Sequence, residues 1–188
     1  MKVLLVRIQN YENESLENKI KTFFEQKGED FLIESFDLQN LEEIPSKLLA
    51  LSNSVDYMIG IGLAGFFILA ETNSNSKIVI NPSMTPSELP DLLTEYQAPL
   101  QHLEEKTYSW VDAEMRVATY GIFTKESDEQ DKAAFMKVYG RNIAGRNNYC
   151  KDFTELQDIN LCIENGFSYF RYINSTVNWG AIFDSINK

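Results

Sequence analysis

The 188-residue sequence predicts an α/β domain in which helices cover both faces of a mostly parallel sheet. Short apolar runs, typical of strands buried on both faces, alternate along the chain with segments whose apolar residues have helical spacing. Hydrophobic residues make up 44% of the chain, which is enough for a sizeable core. We therefore predict a single doubly wound, three-layer domain over residues 1–188, with about six strands and the first strand central.

The first half of the chain contains four predicted strands, at residues 2–8, 31–36, 55–61 and 77–81. Helices are predicted between them over residues 15–26, over residues 41–51 and from about Leu63 onward. In the first helix the apolar residues Leu16, Ile20, Phe23 and Phe24 have helical spacing, and Gly28 follows as a stop signal. Strands and helices thus alternate from the first residues.

The second half follows the same pattern with weaker signals. Helices are predicted over residues 86–96 and on to 110, and then over 127–139, 153–164 and 177–186. A fifth strand is predicted at 116–124 and a last strand at 167–173, with a polar loop at 140–150. Pro86 suits a first helical turn, and Glu88 suits the positive end of the helix dipole.

Charge restricts the expected partners. The chain has 17 basic and 28 acidic side chains, a formal net charge of -11, so its surface repels nucleic-acid phosphates and anionic lipids. Its richest apolar run, residues 58–70, contains three glycines and falls short of the about 18 residues that cross a bilayer. The first apolar run is short and interrupted by Arg7, unlike a signal peptide. We expect a soluble, cytoplasmic protein without nucleic-acid or membrane partners.

The sequence contains no pattern that indicates a metal or a cofactor. Cys150 and Cys162 have no CxxC spacing and no histidine nearby, so we expect them to be reduced thiols. Neither lies where a cysteine nucleophile is expected. The acidic residues form no DxDxDG loop, and no HExxH run is present.

The most informative segment is the glycine-rich turn after the third predicted strand. It reads YMIGIGLAGFFILAE over residues 57–71 and is followed by KIVINPSMTPSELPDLL over residues 77–93. The pair resembles the small bacterial esterases of the YqiA/YcfP kind, in the α/β-hydrolase superfamily. Those proteins have a Gly-x-Ser-x-Gly-Gly nucleophile elbow and a later strand that ends in Asn-Pro, followed by Pro-x-Glu-Leu. The resemblance covers about the first half of the chain and implies a minimal α/β-hydrolase-like fold.

The resemblance also implies where a catalytic triad would lie, and the sequence departs from it there. The nucleophile position falls on Gly62, which has no side chain to attack a carbonyl. Ala64 and Gly65 still meet the steric demand of the elbow, and Leu63 would supply one oxyanion N–H. The base region, residues 173–178, contains no histidine and has Asn174 instead. The best match to the acid is Asp128, with Glu126 second.

Each of these residues has a structural interpretation as well. Ser127, Asp128 and Glu129 are also an ordinary acidic first turn of a helix. His102, the only histidine, lies in a polar helical stretch and is expected to be exposed. The turn also fits a loose GxGxxG nucleotide motif. That motif normally follows the first strand, and an acidic residue normally ends the next strand, which here ends in Asn81 and Pro82.

We therefore expect a catalytically inactive hydrolase-like protein that binds a small molecule or a protein partner. Its cleft would be lined by Arg7, Gln9, Leu63, Asp128 and Asn174. Two alternatives stay open. One is a hydrolase of small esters or thioesters that uses a non-serine route, such as water activated by Asp128. The other is a flavodoxin-like interaction module, in which no cavity would lie over Gly62.

Overall fold

The centre of the structure, a computed structural model, is a parallel β-sheet with the strand order β2-β1-β3-β4-β5-β6. The structure describes residues 1–70, 76–109, 119–139, 149–154 and 158–176. Each strand pairs in parallel with its neighbours, and β1 lies inside the sheet between β2 and β3. The strands are β1 Lys2–Ile8, β2 Asp30–Phe36, β3 Tyr57–Ile61, β4 Ser76–Ile80, β5 Thr119–Thr124 and β6 Tyr149–Thr154.

Helices connect the strands and form a layer on each face of the sheet. The α-helices are α1 Glu14–Gln26, α2 Ile44–Ser52, α3 Leu63–Ala70, α4 Thr94–Ser109, α5 Glu129–Tyr139 and α6 Ile159–Thr176. Short 3₁₀ helices precede α2 at Leu38–Glu43 and α4 at Pro86–Glu88. The predicted α/β class is confirmed, because repeated strand-helix units with buried strands produce a parallel sheet that is covered on both sides.

Two hydrophobic clusters define the layers. Val3 and Leu5 of β1 contact the cluster that contains the buried residues of α1 and α6. Leu4 and Val6, which point to the opposite face, belong to the cluster of α2, α3, α4 and α5. The alternation of side chains along β1 thus divides the core. Across the described parts of the chain, no helix is both long enough and apolar enough to span a bilayer.

The prediction of a last strand at 167–173 is wrong, because these residues form the second half of α6. The buried residues Ile159, Cys162, Ile163 and Phe167 recur at helical spacing along this segment. Gly166 lies against the Tyr120 ring, where a Cβ would be 3.1 Å from Cδ1. Alternating aromatics suggested a strand, but the spacing of the preceding apolar residues decides for a helix.

Three other boundaries differ from the predictions. Residues 149–154 form β6, so the helix predicted over 153–164 begins only at Ile159. The helix predicted over 86–96 is reduced to a 3₁₀ turn, and α4 begins at Thr94. Ile44, with Pro45 after it, begins α2 three residues later than predicted, behind a 3₁₀ turn. The predicted helix at 177–186 and most of the predicted loop at 140–150 lie outside the described residues.

Candidate functional site

The carboxyl ends of β1, β3, β4 and β5 lie along one edge of the sheet. Ligands of open α/β sheets bind outside this edge, where the strand order reverses, and here the reversal falls between β1 and β3. The turn after β3 is a single residue, Gly62, between the end of the strand at Ile61 and the start of α3 at Leu63. Gly62 therefore lies at the centre of the candidate site.

Gly62 has a left-handed backbone conformation, with φ of 55°. An L-residue adopts this conformation only with strain, and a sharp strand-to-helix bend requires it. A Cβ built on Gly62 would have no atom within 4 Å. The glycine thus lies at the bend that the sequence predicts for the nucleophile position, and the space in front of it is open.

The two flanking glycines are close to their neighbours. A Cβ on Gly60 would lie 2.6 Å from Cδ1 of Ile68 and 2.8 Å from the carbonyl of Ala64. A Cβ on Gly65 would lie 3.1 Å from the Cβ of Pro82. Strand β3, helix α3 and the loop after β4 therefore meet where side chains are missing, which confirms the predicted steric demand at Gly65.

The loop after β4 holds the bend in place. The carbonyl of Gly62 accepts hydrogen bonds from the N–H of Ser83 at 3.1 Å and of Phe66 at 3.3 Å. The N–H of Gly62 donates to the carbonyl of Ile80 at 3.0 Å. Leu63 is the first residue of α3, where a backbone N–H has no acceptor within the helix. The N–H of Leu63 thus lacks an acceptor inside α3 and belongs to the residue that directly follows the open position at Gly62.

Two carboxylates outside the predicted site residues bind backbone N–H groups further along this loop. Asp131 of α5 accepts the N–H of Met84 at 2.7 Å, and Glu104 of α4 accepts the N–H of Ser87 at 2.7 Å. Burial raises the pKa of both carboxyls above the ordinary value, although these N–H donors act in the opposite direction. The Tyr108 hydroxyl donates to the carbonyl of Met84, and burial raises the pKa of this phenol.

A cavity of about 490 Å³ opens between the 3₁₀ helix Leu38–Glu43 and the first turns of α4. Its lining combines carboxylates, amides, a phenol and apolar side chains: Leu38, Gln39, Asn40, Leu41, Glu42, Glu43, Glu95, Tyr96 and Pro99. Burial and the neighbouring Glu95 raise the pKa of Tyr96. The volume suits a small molecule, and the carboxylates favour neutral or cationic ligands over anions.

Arg7, near the end of β1, and Gln9, directly after it, were both predicted to line the cleft. Arg7 donates from Nε to Oε2 of Glu17 at 2.7 Å, and Glu17 is only 4% exposed. The second oxygen of Glu17 accepts the N–H of Asn13, the N-cap of α1. The Arg7 guanidinium is therefore engaged with α1. Gln9 is exposed, and its backbone N–H donates to the carbonyl of Phe36 at 2.9 Å.

Asp128 directly precedes α5, where the sequence also allowed it to be part of an ordinary acidic first turn of a helix. Its Oδ1 accepts the N–H of Gln130 at 2.6 Å, and its carbonyl accepts the N–H of Lys132 at 3.2 Å. The carboxylate is exposed and stabilises the first turn of the helix. Glu126 follows β5 in the same turn, where its N–H donates to Oγ1 of Thr124 at 3.4 Å.

Asn174 does not lie in a loop after a last strand, and this prediction is wrong. It belongs to the last turns of α6, because the residues that precede it are helical. His102 is exposed on α4, as predicted. Cys162 is a buried thiol on α6, and Cys150 lies in β6, remote in sequence from the bend. No group of acidic, histidine or cysteine side chains in the described ranges could hold a metal ion.

Of the predicted site residues, Gly62 and Leu63 form one bend. Asp128 and Glu126 belong to the turn after β5, while Arg7 is held by α1 and Asn174 lies on α6. Asp131, only three residues beyond Asp128, is the acidic residue of α5 that contacts the loop after β4. Its position in an acidic helix start was visible in the sequence, but its contact with residue 84 was not. Comparison with known proteins found no matching family model and no matching curated protein.

Proposed function

We propose that this chain is a hydrolase-like binding protein, which holds a small molecule at the carboxyl edge of its sheet without forming an acyl-enzyme. The observation that carries the proposal is Gly62, a left-handed residue in a one-residue bend with open space in front of it. An elbow of this geometry would present a nucleophile, and glycine offers only a hydrogen there. The binding geometry is kept while the attacking atom is missing.

The surroundings of the bend support binding by a preorganised site. The loop after β4 is attached to the bend through Ser83, to β5 through Asn81 and to two helices through Asp131 and Glu104. Such a loop loses little conformational entropy when a ligand arrives. The N–H of Leu63 would donate to a carbonyl or hydroxyl oxygen of the ligand. The cavity between Leu38–Glu43 and α4 is a separate location, and its carboxylates favour a ligand that is neutral or positively charged.

Labelling and turnover test the absence of acyl chemistry. Wild-type protein is expected to show no labelling by a fluorophosphonate and no turnover of p-nitrophenyl acetate. Gly62→Ser places a hydroxyl in the open position, and Gly62→Ala is its matched control with the same backbone strain. Because no histidine serves as a base, we expect Gly62→Ser to stay unlabelled as well. Labelling of the wild-type protein would overturn the proposal.

Binding is tested separately by amide NMR titration with small neutral amides, methyl esters and putrescine. Ligand entry is expected to shift the backbone signals of Gly62, Leu63 and Ser83, or those of Glu95 and Tyr96 at the cavity. The signals of Glu95 and Tyr96 should stay unshifted with acetate, which the carboxylates of the cavity repel. A complete absence of shifts with every probe would contradict a small-molecule role.

Two rival functions make different predictions. A hydrolase that uses water activated by Asp128 would turn over model esters and lose this activity in Asp128→Ala. The contacts of Asp128 with Gln130 and Lys132 are those of a helix cap, which favours the binding proposal. A flavodoxin-like module shares the order β2-β1-β3-β4-β5 but would have a filled bend, and the open space at Gly62 weighs against it.

A further inference from the structure

Strand β2 forms one edge of the described sheet and pairs only with β1. Five of its seven residues are exposed, including Leu32 and Ile33 at 38% each. Soluble proteins usually protect such edges with charged side chains, especially lysine, or with proline, a bulge or a very short strand. β2 carries the carboxylates of Asp30 and Glu34 but no lysine or proline, and its pairing with β1 runs without interruption over all seven residues. This edge is therefore suited to pairing with another strand.

The backbone groups that face outward can be assigned from the contacts with β1. The N–H of Asp30 donates to the carbonyl of Met1, and the carbonyl of Phe36 accepts the N–H of Gln9. Within a strand, the N–H and C=O of one residue point to the same side, and successive residues alternate. Since residues 30 and 36 face β1, Phe31, Ile33 and Ser35 direct their N–H and C=O groups to the free edge.

We propose that this edge pairs antiparallel with β2 of a second copy of the chain, with Ile33 on the two-fold axis. In this register Ile33 lies opposite the partner's Ile33, and Phe31 lies opposite the partner's Ser35. These are the outward-facing residues, so each pair exchanges two N–H···O bonds. The two sheets become one continuous sheet, and the interface is self-complementary, as a two-fold dimer requires.

Charge selects this register over its neighbours. With Ile33 on the axis, Glu34 lies opposite the partner's Leu32, and Asp30 lies opposite the partner's Phe36. A shift by two residues in one direction places Asp30 opposite the partner's Glu34, and a shift in the other places Glu34 opposite the partner's Glu34. Like charges directly opposite are destabilising, and the shifted registers also lose outward-facing pairs. The register with Ile33 on the two-fold axis is therefore favoured over the two registers shifted by two residues.

The side chains on the α1 face add an apolar contact. Val3 pairs in register with Phe31 and Leu5 with Ile33, so Phe31 and Ile33 point to the same face as α1. The Phe31 ring stacks on Phe24 with centroids 5.2 Å apart. Pairing at Ile33 would continue this hydrophobic layer across the two-fold axis. The net charge of -11 per chain opposes association, so added salt should strengthen the dimer.

Sedimentation velocity of the full chain at several protein concentrations, in low and moderate salt, tests the proposal. We expect a dimer that strengthens with salt. Ile33→Lys places two ammonium groups together on the axis and should weaken the dimer about 100-fold. Leu49→Lys, at a position of α2 that is 40% exposed, is the matched control and should leave the dimer unchanged. A monomeric wild-type protein, or a dimer that persists in Ile33→Lys, would overturn it.

Amide hydrogen exchange verifies both the fold of the variant and the identity of the partner. The amides of Leu32 and Glu34 face β1 and should exchange slowly in the wild type and in Ile33→Lys, which shows that β2 is intact. The amides of Phe31, Ile33 and Ser35 should exchange slowly only in the dimer. Their protection in a monomer would mean that another part of the same chain covers the edge, which would contradict pairing with a second copy.

Discussion

Asn81 and Thr124 exchange two side-chain hydrogen bonds between the ends of β4 and β5. The amide Oδ1 of Asn81 accepts the backbone N–H of Thr124 at 2.8 Å, and Nδ2 donates to Oγ1 of Thr124 at 2.8 Å. Asn81 has φ of 46°, a left-handed conformation that asparagine tolerates better than most residues. Asn81 and Pro82 therefore begin the loop that bonds to Gly62. The side chain of Asn81 connects that loop to β5.

Replacement of Asn81 by alanine should destabilise the protein by about 2–4 kcal/mol. The variant leaves the N–H of the buried Thr124 without an acceptor and places alanine in a left-handed conformation. Thr124→Val is the control, because it removes only the hydroxyl and should cost about 1 kcal/mol. Urea denaturation measures both changes. Equal losses in the two variants would show that the backbone contact contributes little.

The glycines of the bend should respond differently to alanine. Gly60→Ala introduces a Cβ within 3 Å of the α3 backbone, so we expect a loss of about 3 kcal/mol or more. Gly62→Ala meets open space and costs only the left-handed strain, about 1 kcal/mol. Thermal and urea unfolding of both variants give the comparison. A larger loss for Gly62→Ala would contradict the open position in front of Gly62.

Asp131 should make stability depend on pH. Burial raises its pKa, with a smaller contribution from Asp128, so the carboxyl binds its proton more tightly in the folded chain than in the unfolded one. The stability due to this proton is complete below the unfolded-state pKa of about 3.9 and is lost as pH rises through the raised folded pKa. Asp131→Asn keeps an oxygen for the Met84 N–H but does not ionise.

As pH rises from acid to neutral, the wild type should therefore lose stability that Asp131→Asn keeps. The difference in free energy of unfolding, Asp131→Asn minus wild type, should increase over this range. Urea denaturation across this range, with Glu104 unchanged in both proteins, isolates the effect of Asp131. Asp131→Ala is the second variant, and it should lose about 1–3 kcal/mol because the Met84 N–H has no acceptor. A constant difference between wild type and Asp131→Asn at all pH values would refute the assigned pKa direction.

Arg7 should matter for stability through Glu17. Arg7→Met leaves the carboxylate of Glu17 buried without its cation, at a cost on the order of 3 kcal/mol. The double variant Arg7→Met/Glu17→Gln removes the charge and keeps an oxygen for the N–H of Asn13. It should be more stable than the single variant in urea denaturation. If the single and double variants are equally stable, the ion pair contributes nothing.

The sequence predicted the first half of the fold well, for a physical reason. Strands buried on both faces must be apolar, and α1 must present one apolar face, so β1, β3 and α1 are visible in the local pattern. In the second half, the aromatic run at 167–173 fits either a strand or a helix. The helical spacing of the buried residues before this run and the contact of Gly166 with Tyr120 together distinguish the helix from a strand.

The candidate site was predictable only where it depends on local conformation. A glycine-rich turn between a strand and an apolar helix is a local feature, so Gly62 was placed correctly. The carboxylates of Asp131 and Glu104 act on residues 47 and 17 positions away, and no local pattern specifies such contacts. Arg7 was predicted in the cleft because it lies near the carboxyl end of the first strand, yet its guanidinium binds Glu17.

The single residue between β3 and α3 also limits how this region can evolve. An insertion there would rotate α3 by about 100° about its axis relative to β3. Ala64 would then take the place of Gly65, where a Cβ comes within 3.1 Å of Pro82. A deletion would bring Phe66 to the same place. The fold therefore accommodates a substitution at residue 62 more easily than a change in the length of the bend. Homologous sequences should vary at residue 62 before they show an insertion or deletion there.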